Sequence, residues 1–193
     1  MTKETIITAA LRLFLLRGYQ SVSLADVAKE AGITKGGIYH YFSGKEELLQ
    51  VALQYFLDSF EKKYQALLAG ATSLRDLWQL LYVDNVMVTH GRSMLGCDQS
   101  SPIDHIHFII DIMRRFPAAQ ERIERYQQTL TELLAAKIEE AAAVGEIRSD
   151  VDSQALAVIM MAVMNGTRGL GNEGQPPASL MGVADAFWTM IRV

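Results

Sequence analysis

Residues 22–49 read VSLADVAKEAGITKGGIYHYFSGKEELL, and this stretch decides the fold of the N-terminal part of the chain. Ser23 is followed three residues later by Asp26, which is the arrangement of a capping box. In that box a hydroxyl and a carboxylate satisfy the free backbone N–H groups at a helix start. The pattern predicts a helix over 24–31 that ends at Gly32, because glycine readily adopts the left-handed backbone of a helix stop.

A second short helix is predicted directly after this turn. Thr34 can cap it, and it extends over 35–41. Two short helices joined by a tight turn that contains glycine have the geometry of a helix-turn-helix. Four apolar residues have the spacing to fill the core between these helices and a helix over 2–17: Val27, Ile33, Ile38 and Phe42.

The rest of the second helix is predicted to point outward. Two glycines in so short a helix lower its stability by roughly 1 kcal/mol each relative to alanine, so close approach to another molecule explains them better. A helix of this kind can enter a major groove with its backbone N–H groups facing phosphate. The alternative is that its tyrosines are packing residues and its lysines a solvated face. The predicted DNA contacts are Ser23, Thr34, Lys35, Gly36, Gly37, Tyr39, His40, Tyr41 and Lys45.

With the turn, the second helix, Tyr39-x-x-Phe42 and Lys45 in this order, residues 3–50 resemble the N-terminal signature of the TetR family of transcriptional regulators. The resemblance implies that the helix bearing Tyr39 and His40 enters the major groove, and that Tyr39 and Lys45 hold phosphates. It also implies a homodimer whose C-terminal domain binds a small molecule that releases the DNA. Gly44 departs from the more usual polar residue before the lysine.

The composition is that of a globular protein with a sizeable core, since half of the 193 residues are hydrophobic. The net charge is −4, but residues 1–50 carry +1, and 32–45 contain no acid. This distribution leaves room for a modest DNA footprint. A single cysteine, Cys97, fits a reducing compartment. With no secretion signal in the pattern and no apolar run long enough to span a bilayer, we expect a cytoplasmic protein without membrane contact.

Helical periodicity continues to the C-terminus, and the sequence predicts an all-α fold of about nine helices. We expect an N-terminal three-helix DNA-binding domain over 1–48. A helical ligand-binding and dimerisation domain is expected over 49–193. A loop is expected over 91–102. The predicted helices from the end of the first domain onward are 45–68, 74–90, 103–116, 117–144, 153–170 and 178–192.

The last two helices are the candidate dimer interface. Residues 155–164 are apolar on every face, which a helix on the surface of a monomer cannot be without exposing a large patch. Pairing with a second copy would cover this patch, whereas burial within one chain is the alternative. The predicted interface residues are Ile159, Val163, Val183, Phe187, Trp188 and Ile191.

A pocket for the effector is expected inside the C-terminal bundle. Its candidate lining favours an apolar or aromatic molecule, although each residue taken alone is more typical of ordinary core than of a ligand contact. A small-molecule effector that shifts the population towards a geometry unfit for DNA would release a repressor from its operator, and an effector with the opposite difference in affinity would promote DNA binding. An activator is the alternative within regulation. The candidates are Trp78, Tyr82, Met87, Met94, Phe108, Ile109, Met113 and Tyr126.

Other function classes find less support. No phosphate-binding glycine loop, nucleophile elbow or triad spacing is present, so we predict no enzyme and no cofactor. His107 and Asp111 could share a helix face, but solvated polar residues explain them, and we predict no metal site. Cys97 is treated as a bystander and not as a redox sensor. A helical module that binds a protein instead of DNA remains the alternative.

Overall fold

The computed structural model describes residues 2–98, 105–169 and 177–193, with side chains omitted at 105–107, 167–169 and 177–179. Within these ranges the chain forms ten α-helices and no strand, apart from one isolated bridge between Ile147 and Arg192. The all-α prediction is therefore confirmed. The helices are α1 (Lys3–Arg17), α2 (Leu24–Ala31), α3 (Lys35–Tyr39), α4 (Lys45–Gly70), α5 (Leu74–Trp78), α6 (Val86–Leu95), α7 (His105–Arg115), α8 (Pro117–Ala143), α9 (Ser153–Gly169) and α10 (Pro177–Ile191).

The expected continuous helix over 74–90 is wrong. α5 passes into a π-helical turn, Gln79–Val83, in which the Asp84 N–H donates to the Gln79 carbonyl. Asn85 then adopts a φ of 50°, a left-handed conformation that asparagine tolerates better than most residues. This left-handed residue ends the first segment, and α6 begins at the next position.

The expected loop over 91–102 is also wrong at its start, because residues 91–95 continue α6. Gly91 does not break the helix but lets α6 approach α4 closely. A Cβ atom at Gly91 would lie 2.9 Å from Cζ of Phe60. The helix instead ends at Gly96, whose φ is 61°. Residues 99–102 lie outside the described part of the chain.

The chain divides into two compact units. The first comprises Met1–Phe60 and His90–Glu124, and the second comprises Glu61–Thr89 and Arg125–Val193. The domain boundary after residue 48 stays a prediction. Four residues in the first unit are predicted to pack α1, α2 and α3 together. Three of them, Val27, Ile38 and Phe42, are fully buried, and Ile33 is half-buried.

Candidate nucleic-acid interface

The start of α2 is held by the capping box that the sequence predicts. The Asp26 N–H donates to Ser23 Oγ at 3.1 Å, while Asp26 Oδ2 accepts from the Ser23 N–H at 2.8 Å and from its hydroxyl at 2.6 Å. These hydrogen bonds hold the pKa of Asp26 below its ordinary value. At the other end of α2, Gly32 has a φ of 68°. This left-handed backbone conformation ends the helix and sets the direction of the turn into α3.

α3 is a five-residue helix that depends on its cap and on one buried side chain. Thr34 Oγ1 accepts from the Gly37 N–H at 3.2 Å, and Ile38 is fully buried. Two residues of the predicted helix over 35–41 fall beyond its end at Tyr39. Since such a short helix is unstable alone, contact with α2 keeps α3 in place.

Gly36 and Gly37 are not required by the interior of the protein. A Cβ at Gly36 would meet Thr34 Oγ1 at 3.8 Å, and a Cβ at Gly37 would come no closer than 3.6 Å to Ile33 or Thr34. Both are ordinary van der Waals distances, and neither glycine has a positive φ. Because these two residues carry no side chain, this part of the α3 surface is flat. The fold does not require it to be flat, so another reason is needed.

The exposed face beside these glycines is aromatic and basic. Tyr39 is 52% exposed and Tyr41 is 41% exposed, and Lys35 and His40 are also exposed. The His40 and Tyr41 rings lie 5.0 Å apart in a T-shaped arrangement. Exposed rings with hydroxyl and imidazole groups can donate hydrogen bonds to phosphates or base edges.

Lys45, the first residue of α4, sits on a ring that the sequence analysis missed. Its Nζ lies 4.1 Å from the centroid of the Tyr19 ring and 3.5 Å from the Gln20 carbonyl oxygen. Burial lowers the pKa of Lys45, and the charge of Asp26 acts in the opposite direction. In the sequence, Tyr19 is visible only as an aromatic residue next to Gly18, the residue that caps the end of α1, and this position does not reveal its partner.

The start of α4 is capped by a carboxylate from its own first turn. The Ser43 N–H and hydroxyl both donate to Glu47 Oε2 at 2.6 Å. The Gly44 carbonyl accepts from the Leu48 N–H, so the helix begins directly after Gly44, and Glu47 is its third residue. These bonds lower the pKa of Glu47.

The predicted effector residues are divided between the two compact units. Trp78, Tyr82 and Met87 are buried in the second unit. There the Trp78 ring stacks on Tyr82 at 4.8 Å and on Phe187 of α10 at 4.6 Å, and its Nε1 donor has no acceptor among the described residues. Tyr126, also in the second unit, is half-buried. The other candidates belong to the first unit, where Phe108 is buried and three residues are half-buried: Met94, Ile109 and Met113.

The predicted interface residues on α9 and α10 fall into two groups. Ile159 and Val183 are half-exposed, and Val163 is half-buried. Phe187, Trp188 and Ile191 are buried within the second unit of the same chain, because α10 turns them towards α5 and the π-helical turn. Exposed apolar residues on these helices that the sequence analysis did not name are Val158, Met181 and Met190.

Three further observations concern a metal site, the single cysteine and membrane spans. Among the residues that the structure describes, no three histidine, cysteine or acidic side chains are grouped so that they could hold a metal ion, and the side chain of His107 lies outside that set. Cys97 is half-buried, and this burial raises its pKa. None of the described helices is long and apolar enough to cross a membrane.

The capped α2, the left-handed glycine and the exposed α3 together define a helix-turn-helix protein, a class whose second helix docks in the major groove of DNA. Comparison with known proteins narrows this class. A family model described as "Bacterial regulatory proteins, tetR family" matches residues 6–52. A second, described as "Tetracyclin repressor-like, C-terminal domain", matches residues 106–170.

Relatives and solved structures agree with the family models. The transcriptional regulator AcrR of Shigella flexneri is 30% identical over 175 residues, which cover 86% of this chain and 75% of the relative. The regulator TtgR of Pseudomonas putida is 30% identical over 176 residues, covering 86% and 77%. A TetR-family regulator from Cytophaga hutchinsonii superimposes with a TM-score of 0.75 at 19% identity, covering 100% of this chain and 98% of that one.

The chain therefore belongs to the TetR family of ligand-responsive, DNA-binding transcriptional regulators. The membership of the TetR family that the N-terminal signature predicts is confirmed. Regulators of this family bind DNA operators and act as dimers.

The two capping carboxylates make the helix-turn-helix sensitive to acid. Because the pKa of Asp26 and of Glu47 is lower in the folded than in the unfolded chain, they stabilise the fold above the unfolded value of about 4. That stabilisation is lost as the pH falls through the folded value. We expect the melting temperature to decrease from about pH 5 to pH 3, and to decrease less in an Asp26→Asn, Glu47→Gln double variant, measured by circular dichroism. Glu46→Gln is the matched control, and equal acid sensitivity of the double variant and the wild type would contradict this role.

Proposed function

We propose that this protein is a homodimeric repressor that binds a palindromic operator through α2 and α3 and leaves it when a small molecule binds. The observation that carries the proposal is the flat face of α3. Gly36 and Gly37 have space for side chains and ordinary backbone angles, yet they stand beside exposed Lys35, Tyr39 and His40. Close contact with a DNA groove explains a surface that the fold itself does not require.

The exposed residues can be sorted by the part of DNA that each would contact. The Tyr39 hydroxyl and the Lys45 ammonium are assigned to phosphates, where they give affinity without sequence preference. Thr34, Lys35 and His40 are assigned to base edges, which differ between base pairs in the major groove. Gly36, Gly37 and Tyr41 complete the proposed contact surface, and Ser23, the N-cap of α2, is assigned to it as well.

Dimerisation is proposed through the exposed apolar residues of α9 and α10. Ile159, Val183 and Met190 belong to a set of large apolar side chains that the described chain leaves in water. Covering them with a second copy removes that exposure. A two-fold dimer also gives two recognition helices about 34 to 36 Å apart, the spacing of one turn of DNA. Phe187, Trp188 and Ile191 support this surface from below, as part of the core of each subunit.

The effector is proposed to be a largely apolar or aromatic molecule with a hydrogen-bond acceptor, bound beside Trp78. The indole N–H of this residue is buried without an acceptor among the described groups, and buried donors are rarely left so. Among similar proteins, FadR of Bacillus subtilis was solved with stearoyl-CoA, and KstR2 of Mycobacterium tuberculosis is a ketosteroid regulator. Screening acyl-CoA thioesters and polycyclic ketones for release of DNA tests this class.

We choose repression over activation because a similar protein is a repressor. KstR2 of Mycolicibacterium smegmatis, which is 27% identical over 151 residues, is a transcriptional repressor. For a repressor, the effector must bind the DNA-free geometry more tightly than the DNA-bound one, because a ligand shifts an equilibrium only by its difference in affinity.

The DNA interface is tested with four single variants. Tyr39→Ala and Lys45→Ala should weaken binding to operator and random DNA alike, each by about tenfold, since each removes a contact to phosphate. Lys35→Ala and His40→Ala should lower the preference for operator over random DNA. Fluorescence anisotropy at fixed salt measures both quantities. Unchanged binding in all four variants would contradict the assignment of this face.

The dimer interface is tested by placing a charge on it. Ile159→Glu should shift the protein from dimer to monomer in analytical ultracentrifugation, because a buried unpaired carboxylate disfavours association. Val144→Glu, at a residue that is 80% exposed just after α8, is the control and should leave the dimer intact. Operator affinity should fall in the Ile159 variant only. A stable Ile159→Glu dimer would place the interface elsewhere.

A further inference from the structure

The side chain of Tyr19, between α1 and α2, lies under the ammonium group that we assign to a DNA phosphate. Tyr19 is 8% exposed, and Lys45 Nζ lies 4.1 Å above the centre of its ring. The same Nζ is 3.5 Å from the carbonyl oxygen of Gln20, the next residue along. A flexible lysine side chain is thus held at its tip by two neighbouring residues of one connecting segment.

The same tyrosine ring is fixed by aromatic contacts. Its centroid lies 5.3 Å from that of Phe14 in α1, tilted by 59°, and 5.3 Å from that of Phe116, at 87°. Phe116 occupies the junction between α7 and α8, where its carbonyl accepts from the Ala119 and Gln120 N–H groups. All of these residues belong to the first compact unit. The Tyr19 ring therefore connects the α7–α8 junction with the lysine.

We propose that Tyr19 is a positioning residue that holds Lys45 ready for a DNA phosphate, and that the α7–α8 junction regulates DNA affinity through the contact between Phe116 and Tyr19. The inference rests on the proposed function, in which Lys45 contacts phosphate. It adds a residue outside the helix-turn-helix and a route by which a change at the junction between α7 and α8 reaches the DNA.

Physical chemistry favours a supporting role for the ring. A lysine ammonium has three N–H donors, so contact with a ring face and one carbonyl leaves a donor for phosphate. A free lysine would lose rotamer freedom on binding DNA, and that entropy cost is smaller when the side chain is already held. Displacement of the ring by a movement of Phe116 would remove this advantage.

The test measures binding to a random duplex of about 30 base pairs across a salt series, because phosphate contacts do not depend on sequence. Lys45→Gln should make the slope of log affinity against log salt shallower by about 0.9 for each phosphate that the lysine no longer neutralises. Tyr19→Leu should weaken binding by roughly fivefold per subunit, and Tyr19→Phe, which keeps the ring, should bind as the wild type does. Phe116→Leu should weaken binding in the same direction.

Double variants separate positioning from a general effect on folding. In the Lys45→Gln background, Tyr19→Leu and Phe116→Leu should weaken binding little further, because they act through the lysine. Full additivity, or wild-type binding by Tyr19→Leu, would overturn the proposal. Wild-type binding by Lys45→Gln would overturn it as well, while Tyr39→Ala and Lys35→Ala would still report separately on the proposed DNA interface.

A second measurement does not require the Tyr19→Leu variant to fold. Lysines of the wild-type dimer are labelled by reductive ¹³C-methylation, and the Lys45 signal is assigned with Lys45→Arg. A lysine tip above a tyrosine ring should give a methyl signal shifted upfield, and Phe116→Leu should change that shift. A Lys45 signal at the position of exposed lysines would overturn the proposal.

Discussion

The contact of α3 with α2 is the constraint on which the proposed DNA-binding surface depends. α3 has five residues and two of them are glycine, so its intrinsic helix stability is poor. It is held by fully buried Ile38, by the Thr34 cap and by the left-handed Gly32 that aims it. Because the core holds α3 from one side, the other side is free to be flat and basic.

The same division between a rigid support and an exposed surface recurs in the rest of the molecule. In the second unit, Trp78, Tyr82 and Phe187 form a stacked core, and large apolar side chains of α9 and α10 face solvent above it. Burial of Phe187 within one chain fixes α10, and the exposed residues beside it remain available for a second copy. Proposed recognition surfaces for DNA and for a partner subunit thus both stand on helices that the core holds in place.

Local patterns made the helix-turn-helix predictable from the sequence. The capping box at Ser23, the glycine stop at Gly32 and the alternation of buried and exposed residues are all encoded within a few positions. Contacts between distant segments were not predictable in this way. The ring of Tyr19 beneath Lys45 and the close approach of Gly91 to Phe60 depend on how helices pack, and the left-handed Asn85 gave no periodic signal. Buried Phe187 and exposed Met190 share a helix that is apolar nearly all round, so its pattern could not say which face a partner covers.

DNA binding by the wild-type protein tests most directly whether this chain recognises an operator. Its affinity for DNA from immediately upstream of its own coding region is measured across a salt series, with a scrambled duplex of equal length as control. We expect tighter binding to the upstream duplex and, for both duplexes, an affinity that decreases steeply as salt rises. Absence of binding to either duplex at low salt, by protein shown to be folded and dimeric, would contradict this expectation.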